Sequence, residues 1–353
     1  MTISRVAVLG LGRVGVLAAE LLVEAGFDVV GVDQRQPENT DFAFQEIDLS
    51  QDANLAELVG SVDAVLSCLP YQLNVAIATH AHTKGVHYFD LTEDVPTTAK
   101  ILELSKTATA LMAPQCGLAP GLVGIVAADL IESLDECRSV KMRVGALPQN
   151  PDGLLGYSFT WSPTGVVNEY LNDCEVIEDG ERKFVSSMEW HEPVYLSGTR
   201  LEAFTTSGGL GTMCDTYHGR VHNLDYKSLR YPGHVDLMNF FFHELLMRDD
   251  RSLAEQILTK AKPPVSDDVV FLHVSAEGHK NERLQRLEFA RRYMPRVLAG
   301  KERTAIAWTT AGSVVSVIEM VRDGLLPDVG FLKQEDIPFH AYCATQTGAA
   351  FVE

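Results

Sequence analysis

Basic residues are scarce in this chain relative to acidic ones. The sequence contains 29 lysines and arginines against 48 aspartates and glutamates, which gives a formal net charge of −19. A surface of this sign repels the phosphate backbone of nucleic acids, so we expect no nucleic-acid partner. The acidic excess is typical of a soluble protein, and it would also attract a cationic substrate.

Cysteine is sparse, and several familiar motifs are missing. No CxxC pair occurs among the six cysteines, Cys68, Cys116, Cys137, Cys174, Cys214 and Cys343. This pattern excludes a disulfide framework and the usual zinc spacings. His80 and His82 lie two residues apart in a predicted helix, where side chains point in different directions, so we expect no metal site. The HExxH, GxSxG and P-loop patterns are absent, which excludes the common hydrolases and kinases.

Long hydrophobic runs are missing too. The longest apolar helical stretch, around 121–131, is interrupted by Asp129 and is far shorter than a membrane span. The first residues lead directly into a predicted strand, without the hydrophobic region of a signal peptide. We therefore expect a soluble cytoplasmic protein with reduced thiols and no membrane partner.

The 353 residues suffice for two domains, and the first 120 show one consistent pattern. Short apolar runs alternate with amphipathic segments, in which apolar residues recur with helical spacing. Strands are predicted at 5–9, 28–32, 45–49, 64–69, 87–91 and 110–114. This alternation predicts an α/β domain over 1–120, built as a doubly wound parallel sheet with helices on both faces.

The pattern changes after residue 120. A helix is predicted at 121–134, and alternating apolar residues predict a strand at 139–147. Further β-rich pieces between 155 and 231 are YSFTW, CEVI, the segment near Phe184, EAFTT and VHNLDYKSLRY. Helices follow at 234–247 and 310–323. We predict a second, α+β domain over 121–353 with a mixed sheet, of which about 310–353 could pack back on the first domain.

A glycine-rich turn, Gly10-Leu11-Gly12-Arg13-Val14-Gly15, follows the first predicted strand and opens the first predicted helix. In such turns the glycines permit a tight bend, close approach of a pyrophosphate and close packing of helix on strand. The phosphates then lie at the helix N-terminus. Asp33 ends the next strand, 18 residues after Gly15, near the spacing of a carboxylate that binds the ribose hydroxyls. Together these features predict a Rossmann dinucleotide-binding domain.

The residue at position 33 also bears on cofactor choice. The carboxylate of Asp33 favours NAD, because it would repel the 2′-phosphate of NADP. Arg35 keeps NADP open, since an arginine near that site can hold the phosphate.

Ligands of doubly wound sheets bind at the carboxyl ends of the strands, so the segments 67–71, 90–94 and 115–121 are candidate site loops. Asp90 and Glu93 are candidate acid–base groups. Asp94 could equally be the N-cap of the following helix. Cys116 is either a polar group facing the substrate or a small buried apolar residue.

The second predicted domain contains one notable segment, KSLRYPGH at 227–234. Arg230 in this segment could hold a substrate carboxylate through a two-pronged hydrogen bond. A surface salt bridge is the alternative role, and the sequence does not decide between them.

The motifs resemble, in order along nearly the whole chain, those of the saccharopine dehydrogenase-like family. They are GLGRVG with Asp33, CLPYQLN, HYFDLTED, CGLAPG, YSFTWSPTGVVNEYL, EAFTTSGGLGT and KSLRYPGH. Within that family, the segment from GALPQNPDGLLG to VVNEYL is most similar to the lysine 6-dehydrogenases.

The resemblance implies a homodimer that uses NAD to oxidise the ε-amino group of L-lysine, giving ammonia and allysine, which cyclises to piperideine-6-carboxylate. It implies that NAD is bound by Gly10, Gly12, Arg13, Val14, Gly15, Asp33, Asp48, Leu69, Pro70, Asn74, Leu118 and Pro120. It places Tyr71, Asp90, Glu93, Cys116 and Arg230 around the amino acid. The expected arrangement has Arg230 on the α-carboxylate and the Asp90–Glu93 loop at the distal amine.

Two alternatives stay open. A saccharopine-type imine oxidoreductase would act on a conjugate with three carboxylates, and Arg143, Arg220 and Arg230 could bind them. A regulator that senses NAD without turnover could use the same nucleotide-binding domain.

Overall fold

The structure is a computed structural model and describes residues 3–49 and 52–353. Met1, Thr2, Ser50 and Gln51, which fall in the predicted first domain, lie outside the described residues. The chain divides into two compact units. The first contains the described residues up to Ile125 with 298–301 and 307–353, and the second contains 126–297 with 302–306. The predicted boundary at residue 120, and the role of the second domain in substrate binding and dimerisation, stay predictions.

The strands are, in chain order, β1 (Arg5–Leu9), β2 (Asp28–Asp33), β3 (Ala43–Glu46), β4 (Ala64–Ser67), β5 (His87–Asp90), β6 (Leu111–Ala113), β7 (Glu136–Pro148), β8 (Cys174–Glu178), β9 (Glu181–Val185), β10 (Glu192–Leu196), β11 (Thr199–Thr205), β12 (Asn223–Arg230), β13 (Asp268–Lys280), β14 (Arg283–Tyr293), β15 (Arg296–Leu298), β16 (Lys301–Arg303) and β17 (Gly330–Phe331).

The helices are α1 (Arg13–Glu24), α2 (Asp52–Val59), α3 (Asn74–Lys84), α4 (Val95–Ser105), α5 (Leu122–Glu132), α6 (Pro163–Leu171), α7 (Met213–Tyr217), α8 (His234–Asn239), α9 (Arg251–Ala261), α10 (Ala305–Arg322) and α11 (Phe339–Ala344). A π-helical turn over Phe240–Glu244 continues α8.

The sheet of the first unit has the strand order β17-β6-β5-β4-β1-β2-β3, and every neighbouring pair is parallel. The order reverses between β4 and β1, the position at which doubly wound sheets bind ligands. The predicted Rossmann sheet is therefore confirmed. The strand β17 brings the C-terminal segment to its edge beside β6.

Apolar composition explains why the central strands lie where they do. The segments Val6–Leu9 of β1 and Ala64–Leu66 of β4 are buried completely, as in parallel strands that are covered on both faces. The helix α1 packs one apolar face, including Leu17 and Leu22, into the core of this unit.

The second unit contains a larger sheet of order β10-β11-β12-β7-β13-β14, to which β8 and β9 are added beside β12. The pair β12–β7 is parallel, whereas the other pairs along this path are antiparallel. The predicted mixed sheet is thus confirmed. Among the described residues, the strands β15 and β16 pair only with each other.

Two predicted strands differ from the structure. The YSFTW segment at 157–161 forms no strand, because it leads into α6, where Ser162 accepts a hydrogen bond from the Gly165 N–H and Pro163 occupies the first turn. The strand predicted at 45–49 lies at Ala43–Glu46.

Other elements differ in extent or were not predicted. The helix predicted at 234–247 ends at Asn239, and the π-helical turn follows it. The long pair β13–β14 was not predicted at all, since β14 is charged on both faces and lacks apolar alternation.

Several absences hold for the part of the chain that the structure describes. None of its helices is long and apolar enough to cross a membrane. No three His, Cys, Asp or Glu side chains within 3–49 and 52–353 are grouped so that they could hold a metal ion. The six cysteines are free thiols.

Candidate functional site

The glycine turn between β1 and α1 has a geometry that requires glycine twice. Gly10 has a φ of +88°, in the left-handed region that glycine adopts without strain. A side chain on Gly15 would overlap the carbonyl oxygen of Gly10, so the first turn of α1 packs directly on the bend. The chain therefore turns sharply from the sheet into the helix.

The N-terminus of α1 is open to a ligand. Gly12 is the N-cap residue of α1, and no side chain caps the helix there. The space beside Gly12 is open, since no atom lies within 4 Å of the position that a Cβ would occupy. Arg13 is exposed and Val14 half-buried in the first turn. The unpaired N–H groups and the helix dipole make this end favourable for an anion. The arrangement fits the pyrophosphate of a dinucleotide.

Asp33 lies at the carboxyl end of β2 and is fixed towards the glycine turn. One carboxylate oxygen accepts a hydrogen bond from the Leu11 N–H at 2.6 Å, and the other accepts from the Gln34 N–H at 2.6 Å. The side chain is half-buried, so its remaining acceptor sites can receive ribose hydroxyls. Asp48 borders the same place, because it accepts a hydrogen bond from the Gln34 amide, and Arg35 is exposed.

The loop after β4 carries four of the predicted site residues. Leu69 packs against the glycine turn, since its side chain occupies the space beside Gly10. Pro70 is exposed and Tyr71 half-buried. Asn74 is buried at the start of α3. The structure thus places Leu69 directly beside the predicted nucleotide-binding turn.

Asp90, at the carboxyl end of β5, is fully buried and accepts four hydrogen bonds. One oxygen receives the N–H groups of Thr92 and Gln115, at 3.0 and 2.9 Å. The other receives the Tyr88 hydroxyl at 2.7 Å and the Asn74 amide at 3.3 Å. Burial raises the pKa of Asp90 to about 6, although these donors oppose the shift. Because protein donors fill its acceptor sites, the geometry favours a role in fixing the strand ends.

Glu93 differs from Asp90 in having a half-buried side chain. Burial raises the pKa of its carboxyl to about 7, and the nearby charges of Asp94 and Asp90 act in the same direction. A carboxyl with a pKa near neutrality can accept and release a proton under ordinary conditions. A hydrogen bond from its own backbone N–H opposes the shift. Within the described residues the Glu93 carboxylate accepts from fewer protein donors than that of Asp90.

Asp94 acts as a helix cap. Its carboxylate accepts hydrogen bonds from the N–H and hydroxyl of Thr97, at 2.9 and 2.6 Å, and Pro96 occupies the first turn of α4. The interpretation of Asp94 as a helix N-cap is therefore confirmed, because its carboxylate accepts from an N–H group of the first turn that has no partner within the helix.

Replacing Asp94 by alanine is expected to lower the free energy of unfolding by about 1 kcal/mol, because the cap is lost. Asp94→Asn keeps an acceptor and should retain most of the stability. Urea unfolding of both variants measures the difference. Equal losses in the two variants would contradict the capping role.

Cys116 is completely buried just beyond β6. Its thiol donates a hydrogen bond to the carbonyl of Ala113 at 3.2 Å, and the Gln334 amide approaches its sulfur at 3.5 Å. Burial raises the pKa of Cys116 far above its usual value, so the group stays a thiol and is unsuited to nucleophilic chemistry. Leu118 and Pro120, in the following loop, are buried as well.

Arg230, at the end of β12 in the second unit, is only 3% exposed, yet its hydrogen-bond partners are neutral. Its Nε donates to the Tyr170 hydroxyl at 2.7 Å, and Nη1 donates to the Leu229 carbonyl at 2.8 Å. Its register partner Glu202 instead accepts the N–H groups of Gly233 and Val235. Within the described residues, no carboxylate forms a hydrogen bond or ion pair with Arg230.

Arg143 shows the opposite arrangement in the same unit. It is equally buried, but Glu192 and Asp225 both bind its guanidinium, at distances of 2.6 to 3.1 Å. Arg220 is exposed and pairs with Glu132. Buried charges are normally paired. Arg230 differs from Arg143 in that no carboxylate among the described residues contacts its guanidinium, although the buried Glu169 acts on its charge at longer range.

No role is assigned from the sequence to five residues that support these groups, although two of them, Gln115 and His234, lie in the candidate segments 115–121 and 227–234. The five are Tyr88, Gln115, Gln334, Tyr170 and His234. Tyr88 could have been found, since it lies two residues before Asp90 on one strand and so shares its face. The others reach their partners from distant segments, and no local pattern indicates those contacts.

A glycine turn at the strand-order reversal of a parallel sheet, with an acidic residue at the end of β2, defines a dinucleotide-binding protein of the Rossmann class. The chain belongs to the saccharopine dehydrogenase family. Residues 6–114 match the family model for the saccharopine dehydrogenase NADP binding domain, and residues 117–345 match that for the saccharopine dehydrogenase C-terminal domain.

Individual relatives are distant. The saccharopine dehydrogenase [NADP(+), L-glutamate-forming] of Saccharomyces cerevisiae is 23% identical over 225 residues, which are 61% of this chain and 50% of that protein. The mitochondrial alpha-aminoadipic semialdehyde synthase of Mus musculus is 27% identical over 203 residues, 54% of this chain and 22% of that protein. The matched region thus spans half or less of these curated relatives.

The fold is similar to that of a solved relative over almost its full length. The apo structure of saccharopine dehydrogenase (L-Glu forming) from Saccharomyces cerevisiae matches with a TM-score of 0.75 and 16% identity, covering 94% of each chain. The diaminopimelate (DAP) dehydrogenase of C. glutamicum matches with a TM-score of 0.52 and 11% identity over 100% of this chain and 99% of that one. At these identities the likeness concerns the fold alone.

Proposed function

We propose that the chain is an NAD-dependent dehydrogenase that oxidises the ε-amino group of L-lysine to allysine, with release of ammonia. The observation that carries this proposal is the buried guanidinium of Arg230, whose direct hydrogen-bond partners are all neutral within the described residues. Such a group is suited to an α-carboxylate, which can bind it through two parallel N–H bonds. Membership in the saccharopine dehydrogenase family supports an amino-acid substrate.

The count of available cations favours a substrate with one carboxylate. A saccharopine-type conjugate has three carboxylates, and the candidate arginines that could bind them are Arg143, Arg220 and Arg230. Arg143 is neutralised by Glu192 and Asp225, and Arg220 is exposed on Glu132. Of these three, Arg230 alone forms no ion pair with a carboxylate among the described residues, which fits lysine.

The proposed chemistry begins with a proton. The ε-ammonium must lose one proton before its neighbouring C–H bond can break, and Glu93 accepts it, since the pKa of Glu93 is raised to about 7. NAD, held at the glycine turn and Asp33, supplies the acceptor for the hydride. Water adds to the resulting imine, and ammonia leaves. The balance is lysine with a charged ε-ammonium, NAD⁺ and water to allysine, NADH, ammonium and one proton, which Glu93 releases to solvent.

A substrate panel tests the proposal. L-lysine and saccharopine are incubated with NAD and with NADP, and the absorbance of the reduced cofactor is followed. We expect turnover of lysine with NAD. The second candidate, a saccharopine-type oxidoreductase, is favoured by the names of the relatives, and turnover of saccharopine alone would establish it. Tight NAD binding without turnover of either compound would favour the NAD-sensing regulator.

Cofactor preference gives a separate prediction. The hydrogen bond from the Leu11 N–H holds the carboxylate of Asp33 towards the glycine turn, where it would repel a 2′-phosphate, so NAD should bind at least about tenfold more tightly than NADP. Asp33→Ala should narrow this gap, mainly by strengthening NADP binding. Titration of both cofactors by isothermal calorimetry measures it. Equal affinities in the unaltered protein would overturn the NAD assignment, which the family description of an NADP binding domain leaves open.

Homodimeric association and a cytoplasmic location stay predictions that rest on the family resemblance and on the sequence.

A further inference from the structure

The side chains of Arg230, Tyr170 and His234 are joined by consecutive hydrogen bonds, and we call these three side chains the relay. The Nε of Arg230 donates a hydrogen bond to the Tyr170 oxygen at 2.7 Å. The same hydroxyl lies 2.9 Å from Nε2 of His234, and Nδ1 of that ring lies 3.0 Å from the carbonyl oxygen of Leu155. All three side chains are buried, Arg230 at 3%, Tyr170 at 1% and His234 at 1% exposure.

The direction of each hydrogen bond follows from the groups involved. Arginine can only donate, so the Tyr170 oxygen accepts from Arg230 and its own hydrogen is directed to Nε2 of His234. Nε2 therefore carries no proton. The carbonyl of Leu155 can only accept, so Nδ1 is the protonated nitrogen. Burial, and secondarily the charge of Arg230, lowers the pKa of His234 to about 3, which keeps the ring neutral.

Aromatic packing holds the relay in place. The ring of His234 stacks on Phe204 with an interplanar angle of 10° and a centroid distance of 6.2 Å. Tyr170 meets Phe204 and Phe242 edge to face. The guanidinium carbon of Arg230 lies 4.9 Å from the ring centroid of Tyr157 and 5.6 Å from that of Tyr170. These contacts leave the relay little freedom to rearrange.

The same bonds determine which part of Arg230 remains available. A guanidinium has five N–H donors; one, on Nε, is used by Tyr170 and one, on Nη1, by Leu229. The second Nη1 hydrogen and both Nη2 hydrogens have no protein acceptor in the described part of the chain. An end-on carboxylate uses one hydrogen from each terminal nitrogen, which is what this arrangement leaves free.

The geometry points to Tyr170 and His234 as positioning residues, which orient Arg230 so that its terminal nitrogens meet the α-carboxylate of the substrate. This inference rests on the proposed amino-acid substrate, and it assigns carboxylate recognition to a relay of three side chains instead of one. Neither Tyr170 nor His234 contacts the substrate in this scheme. The competing explanation is that both merely satisfy a buried arginine.

Kinetics of Tyr170→Phe test the inference. The variant keeps the ring, and so its packing, but removes the hydroxyl. We expect the KM for lysine to rise about tenfold while kcat changes less than twofold, because only substrate positioning is affected. Tyr217→Phe is the matched control: Tyr217 is also buried, and its ring also lies under an arginine, the exposed Arg220, at 5.2 Å. It should leave both constants unchanged.

A pair of variants at His234 guards against a folding artefact. His234→Gln keeps an acceptor for the Tyr170 hydroxyl and should raise the KM less than His234→Leu, which has none. If His234→Gln and His234→Leu raise the KM for lysine equally, the relay is disproved. The KM would then not depend on whether residue 234 can accept a hydrogen bond from the Tyr170 hydroxyl.

Two measurements need no turnover. L-norleucine has the α-carboxylate and α-amino group of lysine but no ε-amino group, and its dissociation constant should rise about tenfold in Tyr170→Phe only. Nitrogen NMR of histidine-labelled protein should show His234 neutral at pH 5 with the proton on Nδ1, its signal being assigned from His234→Gln. A ring that is charged there, or protonated on Nε2, overturns the inference.

The outcomes distinguish the proposed oxidation of lysine from the proposed role of the relay. If lysine is not turned over but norleucine binding is weakened in Tyr170→Phe, the reaction is wrong and the relay stands. If lysine is turned over and Tyr170→Phe changes neither the KM nor the norleucine affinity, the relay is wrong and the reaction stands. A protein that binds neither compound overturns both.

Discussion

Arg230→Met is expected to lower kcat/KM for lysine by about 100-fold or more, without lowering the stability of the fold. Two charge-assisted hydrogen bonds to a carboxylate contribute at least about 3 kcal/mol, and each 1.4 kcal/mol corresponds to tenfold in affinity. The loss should fall mainly on the KM, because the carboxylate is held equally before and during the reaction.

The stability half of this prediction follows from the partners of Arg230. The side chain is buried with no carboxylate in direct contact, so the folded state carries the cost of desolvating its charge, which the charge of Glu169 opposes at longer range. Methionine fills a similar volume without that cost. The free energy of unfolding in urea should therefore be unchanged or higher, although the Tyr170 hydroxyl loses one donor.

Arg143→Met supplies the matched control, with the opposite outcome. It leaves the carboxylates of Glu192 and Asp225 partly buried without their main partner, which typically costs about 3–5 kcal/mol. Its stability should drop sharply. A large loss of stability in Arg230→Met, or undiminished lysine turnover, would show that Arg230 is a structural residue like Arg143.

The contrast between these arginines shows what the sequence cannot convey. Both occur in β-rich segments, at positions 143 and 230, and nothing local distinguishes them. Their roles are set by side chains from other strands: Glu192 on β10 and Asp225 on β12 neutralise Arg143. Such neighbours depend on strand register across more than 40 residues of chain, which local patterns do not specify.

The nucleotide-binding half could be predicted because its signals are local. The bend at Gly10, the open N-cap at Gly12 and the close packing at Gly15 each depend on backbone only a few residues apart. The order of β1, β2 and β4 then follows from the short, right-handed connections of parallel sheets. Asp33 was found for the same reason, as it ends the strand that follows the helix.

The hydrogen bonds around Asp90 and Cys116, at the carboxyl ends of β5 and β6, could be predicted from the sequence only in part. Asp90 and Cys116 are candidates because they lie at the carboxyl ends of predicted strands, but the sequence cannot reveal that Asp90 accepts hydrogen bonds from four donors. Nor can it reveal that Gln334, 218 residues after Cys116, donates to the Pro114 carbonyl. Burial and long-range partners favour a structural role for Asp90, and leave Glu93 as the proton acceptor that we propose.

Glu93→Gln is expected to lower kcat for lysine by about 100-fold or more, the usual contribution of a positioned general base. In the unaltered enzyme, kcat/KM should rise with pH through an apparent pKa near 7, because Glu93 must be ionised to accept the ammonium proton. In Glu93→Gln, kcat/KM should no longer rise with pH near this apparent pKa. Asp94→Asn is the comparison variant: its side chain caps α4 and does not take up the proton, so kcat should be retained. Because the charge of Asp94 raises the pKa of Glu93, this variant should also lower the apparent pKa of the pH–rate profile, while kcat/KM still rises with pH through it.

The same ionisation should appear in stability, independently of turnover. The folded pKa of Glu93, about 7, lies above its ordinary value of 4.5, so between these pH values the folded state holds a proton that the unfolded state has released. The free energy of unfolding should therefore fall as pH rises from about 4.5 to 7, and Glu93→Gln should reduce that slope. Asp90, with its pKa near 6, contributes the same sign at lower pH and remains in the variant. If Glu93→Gln leaves both the pH–rate profile and this slope unaltered, Glu93 keeps an ordinary pKa and is not the base.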